Sequence, residues 1–336
     1  MRLITYGIDL GTDSIKIYSS QDGKTYSERN IIAVENKNIL FAYGDEAYAM
    51  YEKAPSNIHI FRPLSNGVIG DIKSMQVLLK LFLEKVTKGG LKASEYYIAI
   101  PSDVTEVEQR AFYDLVKTAD VKAKKIYVVN KAIADALGVD VNVKTSEGVL
   151  VVNVGYDTTE VSILSLGGIV LSKLVKMGGR KFDETIKSIV RKEYGLLIGS
   201  KTAEQLKISL NEISLEKKDA IVFGRDIVTG LPVEKSICTA LIDNALAENF
   251  NTIIDSIKVI LERTPPELSA DIYRNGLYLT GAASSVNKLK ELLSKGTNLK
   301  VNISEEPKKS VTKGLEKIIK NSEFKSVIYE FEGMKR

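Results

Sequence analysis

Two stretches of this chain carry the same plan, and that plan narrows the fold more than any other feature. YGIDLGTDSIKIYSS (6–20) and VVNVGYDTTEVSILS (151–165) each read as a strand, a glycine-containing turn and a second, alternating strand. Alternation at period two marks strands with one buried face, so both stretches are expected to be hairpins. Laid side by side, Asp9 falls on Asn153, Leu10 on Val154, Gly11 on Gly155, Asp13 on Asp157, Ser14 on Thr158 and Lys16 on Glu160. Chance likeness between hairpins is one explanation. Duplication makes the stronger statement that two related domains each open with a hairpin facing one cleft.

The segments between the hairpins fit an α/β plan written twice. SMQVLLKLFLEKV (74–86) has helical spacing of apolar residues, and YYIAIP (96–101) is a short buried strand ended by proline. TEVEQRAFYDLVKTAD (105–120) opens with a capping box, Thr105 with Glu108. KIYVVN (125–130) is a further strand, and KAIADALG (131–138) a short helix that Gly138 is expected to stop. In the second half FDETIKSIVRKEYG (182–195), TAEQLKISLN (202–211) and residues 239–264 read as helices. GLYLTGAAS (276–284) is a strand entering a turn of small residues, and SSVNKLKELLSKG (284–296) is expected to be a helix.

Composition excludes several classes. With 336 residues the chain has room for roughly two domains. Lys+Arg 47 against Asp+Glu 43 gives a net charge of +4 with no basic block, so nucleic acid is not an expected partner. A single cysteine, Cys238, rules out an internal disulfide and fits a reducing compartment. Its apolar surroundings, SICTALI, predict a buried thiol. The single histidine, His59, reads as structural, and a zinc site or a Ser-His-Asp triad is not expected. No signal peptide and no run of 18 apolar residues is evident, so the expectation is a cytoplasmic chain that does not span a membrane.

A cleft between two such hairpins can clamp a triphosphate. Turn N–H groups supply donors, and small residues let the backbone approach closely. Asp9, ending the first strand, is the candidate to hold a divalent metal through water. Gly281-Ala282-Ala283-Ser284 would let an adenine or ribose lie against backbone, and Glu204 and Lys207 share a helix face from which to reach it. Singly these signals are weak, since a small-residue turn is usually just a turn. Their order along the chain carries the weight.

That order resembles the bacterial actin-like MreB family, within the superfamily of actin, the seventy-kilodalton heat-shock chaperones and sugar kinases. The resemblance runs from GIDLGT at residue 7 to VTKGLEKI at 311, and RPLSNGVIGD (62–71), PSDVTEVEQRA (101–111), TTEVSILSLGGIV (158–170), TAEQLK (202–207), GRDIVTGLP (224–232) and ERTPPELSADI (262–272) are specific to it. It implies an α/β, actin-like, ribonuclease-H-like duplicated fold of two lobes and four subdomains. The first lobe would span 1–145 with an insertion at about 33–72, and the second 146–336 with an insertion at about 182–242. It implies ATP and Mg2+ in the cleft, with Asp9 and Thr158 in catalysis and Asp9 toward the metal. Gly11, Thr12, Asp13, Gly155, Tyr156, Asp157, Thr158, Gly179, Glu204, Lys207, Gly281, Ala282, Ala283 and Ser284 would surround the nucleotide. It also implies head-to-tail self-association into filaments under the cytoplasmic membrane, serving cell-wall synthesis proteins and rod shape.

Departures from the family pattern fall on this cleft. An Asp followed by three glycines becomes Asn153 with Gly155, Tyr156 and Asp157. Glu-Glu-Pro becomes Asn130-Lys131-Ala132, and a commonly acidic position becomes Arg180. The adenosine turn, usually three glycines and an alanine, is Gly281-Ala282-Ala283-Ser284. A carboxylate about 4 Å from a phosphate charge costs on the order of 4 kcal/mol at an effective dielectric of about 20, roughly a thousandfold in affinity. Side chains at 156 and 157 are also expected to exclude turn conformations with positive φ. A protonated Lys131 is no general base, and such a loss typically costs about a hundred- to ten-thousandfold in rate. Weak or absent nucleotide binding and lost or slow hydrolysis follow, with Asp157, Lys131 and Arg180 expected to pair with one another. The alternative is a working ATPase whose turnover controls filament dynamics.

An N-terminal amphipathic helix, one family route to the membrane, is not expected in a chain that opens almost directly into its first strand. The loop Lys88-Gly89-Gly90-Leu91-Lys92 offers one leucine, so membrane contact should be weak or indirect. A second MreB in the same cell is an expected copolymer partner. SVIYEFEGMKR (326–336) reads as an added edge strand, a docking segment or a frayed terminus.

Overall fold

The computed structural model describes residues 3–36, 39–215 and 219–330. Both expected hairpins form. Ile4–Leu10 pairs antiparallel with Ser14–Ser19, and Val149–Val154 with Thr159–Ser165. Each hairpin gains a third antiparallel strand, Lys24–Arg29 in the first half and Gly168–Val175 in the second. On the other side of each first strand two strands add in parallel. These are Ser94–Ile100 and Ala123–Asn130 in one sheet, and Leu277–Thr280 and Val301–Ile303 in the other. The two sheets therefore share one strand order, an independent mark of duplication. Registers match as well, with Asp9 opposite Lys16 and Asn153 opposite Glu160.

The cores follow from alternation. Ile8, Ile15, Ile17 and Ile98 are fully buried under the helices Ile72–Val86 and Glu106–Thr118. Leu150, Val152, Val161 and Ile163 are buried with Leu246, Phe250, Ile253 and Ile257 of the helix Thr239–Glu262. Both bonds of the Thr105–Glu108 capping box are present. Two small sheets are set into the two halves. One joins Ile32–Glu35 to Ile39–Tyr43 and Ile58–Phe61, and the other joins Leu196–Leu197, Ala220–Asp226 and Pro232–Ile237.

The chain then returns. Helix Ser310–Lys320 packs against helix Lys131–Gly138, and Ile328–Tyr329 joins the first sheet beside Ala123–Asn130. The expected edge strand is thus present at those two residues, while 331–336 lie outside the described residues. The helix contact corrects the role given to Gly138. Its φ is not positive, and the cap residue is Val139. A Cβ on Gly138 would lie 1.8 Å from the Ser310 carbonyl oxygen, and one on Gly314 would lie 1.6 Å from that of Ala134. These glycines permit backbone-to-backbone packing.

Two other expectations fail for local reasons. Cys238 is exposed, because strand alternation buries its neighbour Ile237 and turns position 238 outward. The helix expected over 284–296 begins only at Leu289. Before it, the Ser284 hydroxyl turns back onto the Gly281 carbonyl, and Lys288 takes a left-handed φ of 59°.

Candidate functional site

The two hairpin turns close alike: the Gly11 N–H donates to Ser14 O at 3.1 Å, and the Gly155 N–H to Thr158 O at 2.8 Å. Neither Tyr156 nor Asp157 has a positive φ, so the expected conformational exclusion by their side chains does not arise. The start of helix Gly179–Tyr194 lies directly on the second turn. Gly179 N–H donates to Gly155 O at 3.0 Å and Arg180 N–H to Tyr156 O at 2.7 Å. A Cβ at Gly178 would come within 2.7 Å of both carbonyl oxygens, so glycine is what allows this approach. N–H groups that could otherwise receive an anion are used by the turn.

Two cavities open off the turns. A small one of about 80 Å³ touches Asp9, Gly11, Thr12, Asp13, Lys131, Gly155, Tyr156, Asp157, Thr158, Gly281 and Ala282. A larger one of about 490 Å³ touches Asp13, Tyr156, Gly179, Glu204, Lys207, Ala282 and Ala283. The structure therefore brings together nearly every expected site residue. Asn130 and Ser284 line neither cavity; Asn130 precedes its helix without a side-chain cap bond, and Ser284 is 1% exposed.

The polar groups of the cleft are bound to one another. Lys131 Nζ lies 3.1 Å from Asp9 Oδ1, and Lys16 Nζ lies 3.6 Å from Asp9 Oδ2. Burial alone would raise the Asp9 carboxyl, but the two ammonium groups outweigh it and hold it below the usual range. Burial works against the charge of Lys131, and Asp9 and Glu160 overcome it, so its ammonium is held more firmly than usual. Burial pushes Glu160 and Asp135 up. Glu160 accepts the Ser102 N–H at 2.9 Å, and Asp135 accepts the Asn153 amide at 2.7 Å together with the Thr280 hydroxyl.

Asp157, whose side chain is fully buried, faces Arg180 Nε at 2.9 Å. Its other oxygen accepts the Asn66 N–H at 2.9 Å and the Ser65 hydroxyl at 3.2 Å, from a hairpin in the first half of the chain. Of the expected mutual pairing, Asp157 with Arg180 is present, whereas Lys131 goes to Asp9. Asp13 meets Arg29 at 2.9 Å and Arg62 at 3.1 Å, and Arg62 lies over the Tyr156 ring. At the outer end the Tyr48 hydroxyl donates to Glu204, and Glu52 accepts the Ser200 N–H at 2.7 Å and its hydroxyl at 2.6 Å. Lys207 turns onto Asp183 at 2.7 Å and the Gly179 carbonyl at 3.1 Å. Burial, outweighing Lys207, pushes Asp183 up to about 6.

These residues do not suit a magnesium ion held by Asp9. Both Asp9 oxygens face ammonium groups, and a divalent ion about 4 Å from the Lys131 charge would meet a repulsion on the order of 8 kcal/mol at an effective dielectric of about 20. Among the described residues, no three His, Cys, Asp or Glu side chains converge to hold a metal. The larger cavity has the size of a small-molecule pocket, while the smaller one is cramped and partly acidic.

Arg29, Arg62, Tyr48, Asp183 and the Ser65–Asn66 pair were not legible as site residues in the sequence. Lys16 was missed too, although hairpin register, which places it opposite Asp9, was a signal that could have found it. RPLSNG (62–67) held the other clue, supplying Arg62, Ser65 and Asn66 at once.

Comparison with known proteins agrees with the fold. The family model described as MreB/Mbl protein matches residues 4–326. The cell shape-determining protein Mbl of Bacillus cereus is 34% identical over 319 residues, covering 94% of this chain and 95% of that protein. The cell shape-determining protein MreB of Escherichia coli is 32% identical over 316 residues, covering 91% and 90%. Among solved structures, MreB5 of Spiroplasma citri bound to AMPPNP superposes with a TM-score of 0.87 at 32% identity, covering 95% of this chain and 97% of that one. The MamK double helical filament has a TM-score of 0.76 at 20% identity, a likeness of fold. Among the described residues no helix is long and apolar enough to cross a membrane.

Proposed function

The chain belongs to the MreB/Mbl protein family, and from that premise we propose that it is a filament-forming, cell-shape protein with ATP hydrolysis weak or lost. One observation carries the loss: at the position expected to hold a glutamate, Lys131 directs an ammonium at Asp9. A group that is held protonated does not take a proton from water, and a half-buried cation there orients no nucleophile. Cross-cleft bonds through Asp157, Glu204 and Glu52 support a cleft closed by the protein's own contacts, the state that nucleotide would otherwise favour.

Support for a retained nucleotide site comes from the larger cavity and from MreB5 of Spiroplasma citri, whose structures hold AMPPNP and ADP. The lobes at 1–145 and 146–336, with insertions at 33–72 and 182–242, belong to the same reading. Its partners are a second copy head to tail, another MreB, and cell-wall synthesis proteins at the membrane. Electron microscopy of purified protein with and without ATP, beside phosphate release, tests the proposal. Filaments without added ATP and release at background are expected, with release rising in the Asn130→Glu, Lys131→Glu double variant. Brisk release by the unaltered chain, with filaments only in ATP, would instead establish a working ATPase.

A further inference from the structure

The small cavity between the turns carries its own cation. Lys131 is the first residue of its helix, and its side chain reaches back to the buried carboxylate of Asp9. Glu160, also buried, lines the same cavity as Asp9 and Lys131. The two carboxylates come from the first hairpin and the second hairpin. An ammonium that shares a cavity with carboxylates from separate elements supplies there the positive charge a bound cation would bring. Here the charge is covalently tethered, and Lys16 supplies a second one on the far oxygen of Asp9.

We propose that the Lys131 ammonium takes the place of a divalent cation, so that a phosphate entering this cleft is bound without free metal. Resting on the nucleotide reading above, the ligand class is a metal-free nucleoside mono- or diphosphate. The cavity of about 490 Å³ suits the nucleoside, and the cavity of about 80 Å³, flanked by Asp13 and Asp157, leaves little room for a third phosphate.

Mn2+ is the probe, with free ion counted by electron paramagnetic resonance on the full chain without nucleotide. Lys131→Gln keeps an N–H for Asp9 but removes the charge, and Lys131→Arg keeps the charge. Weak Mn2+ binding is expected for the unaltered chain and Lys131→Arg, with affinity at least roughly a hundredfold higher in Lys131→Gln. Equal affinities in all three overturn the proposal. Should Lys131→Gln not fold, the unaltered chain decides. A micromolar Mn2+ site abolished by Asp9→Asn overturns the proposal, and its absence upholds it. ADP is then titrated calorimetrically with EDTA or with excess magnesium. Equal affinity supports the proposal, and dependence on magnesium overturns it. No ADP binding under either condition sinks the nucleotide reading and leaves the Mn2+ result to decide.

Discussion

Replacing Asp157 should move two measurable quantities in opposite directions. In the free protein its carboxylate joins Arg180 to the Ser65–Asn66 turn across the cleft. Hydrogen bonds to a charged group contribute about 1.5–3 kcal/mol each, but a group freed at a cleft wall regains water, so a net loss of roughly 2–3 kcal/mol is expected for Asp157→Gly. Toward a phosphate the sign reverses. Removing a negative charge about 4 Å from one phosphate charge relieves on the order of 4 kcal/mol at an effective dielectric of about 20, near a thousandfold in Kd. Asp157→Gly should therefore melt several degrees lower without ligand and bind ADP far more tightly. Asp157→Asn separates the causes, because it keeps an acceptor for Asn66 and loses only the charge. It should keep most of the stability and still gain affinity. Calorimetric titration and thermal unfolding on the same preparations read both quantities. If Asp157→Asn binds ADP no better than the unaltered chain, the carboxylate does not oppose the phosphate and the reasoning fails.

Other outcomes follow from separate parts of the molecule. Asp183, raised to about 6, binds its proton more tightly folded than unfolded. Its contribution is complete below the ordinary carboxyl value, 3.8, and is lost as pH rises through about 6, so stability should fall across that window. Melting curves from pH 4 to 7 should show that slope, and Asp183→Asn should flatten it. Gly314→Ala would place a Cβ 1.6 Å from the Ala134 carbonyl oxygen, so the helices must part, at a cost of about 3 kcal/mol or more. Urea unfolding would detect it, and an unchanged midpoint would refute the tight backbone contact. Thr105→Ala removes a capping box and should cost about 1 kcal/mol by the same assay.

Local chemistry was the legible part of this fold. Alternation marked both hairpins, and the turn length held a clue left unread, the register that sets Lys16 against Asp9. Thr105 and Glu108 announced a helix start within four residues. What stayed hidden depends on tertiary proximity. Asp157 meets Asn66 from 91 positions away, and Tyr48 meets Glu204 from 156. Such partners have no period and no spacing by which to be found. Gly138 was read as a stop because a glycine at a helix end often is one, yet its cause is Ser310, which only the returning chain brings near. Cys238 was judged by its apolar neighbours, but alternation at the end of a strand decided its direction.

The seam between helices Lys131–Gly138 and Ser310–Lys320 has a mechanical consequence. The polypeptide leaves the first half after helix Lys131–Gly138 and re-enters it ahead of helix Ser310–Lys320, which packs on the first sheet, and the two helices meet main chain against main chain. Two adjacent pivots without intervening side chains resist sliding and bending while leaving one twist cheap. Glu52 and Ser200 join the two halves at a separate point, so their bonds resist that twist. A binder that opens the cleft must therefore break the links of Asp157 and Glu204 as well as that of Glu52, and can do so without touching the seam.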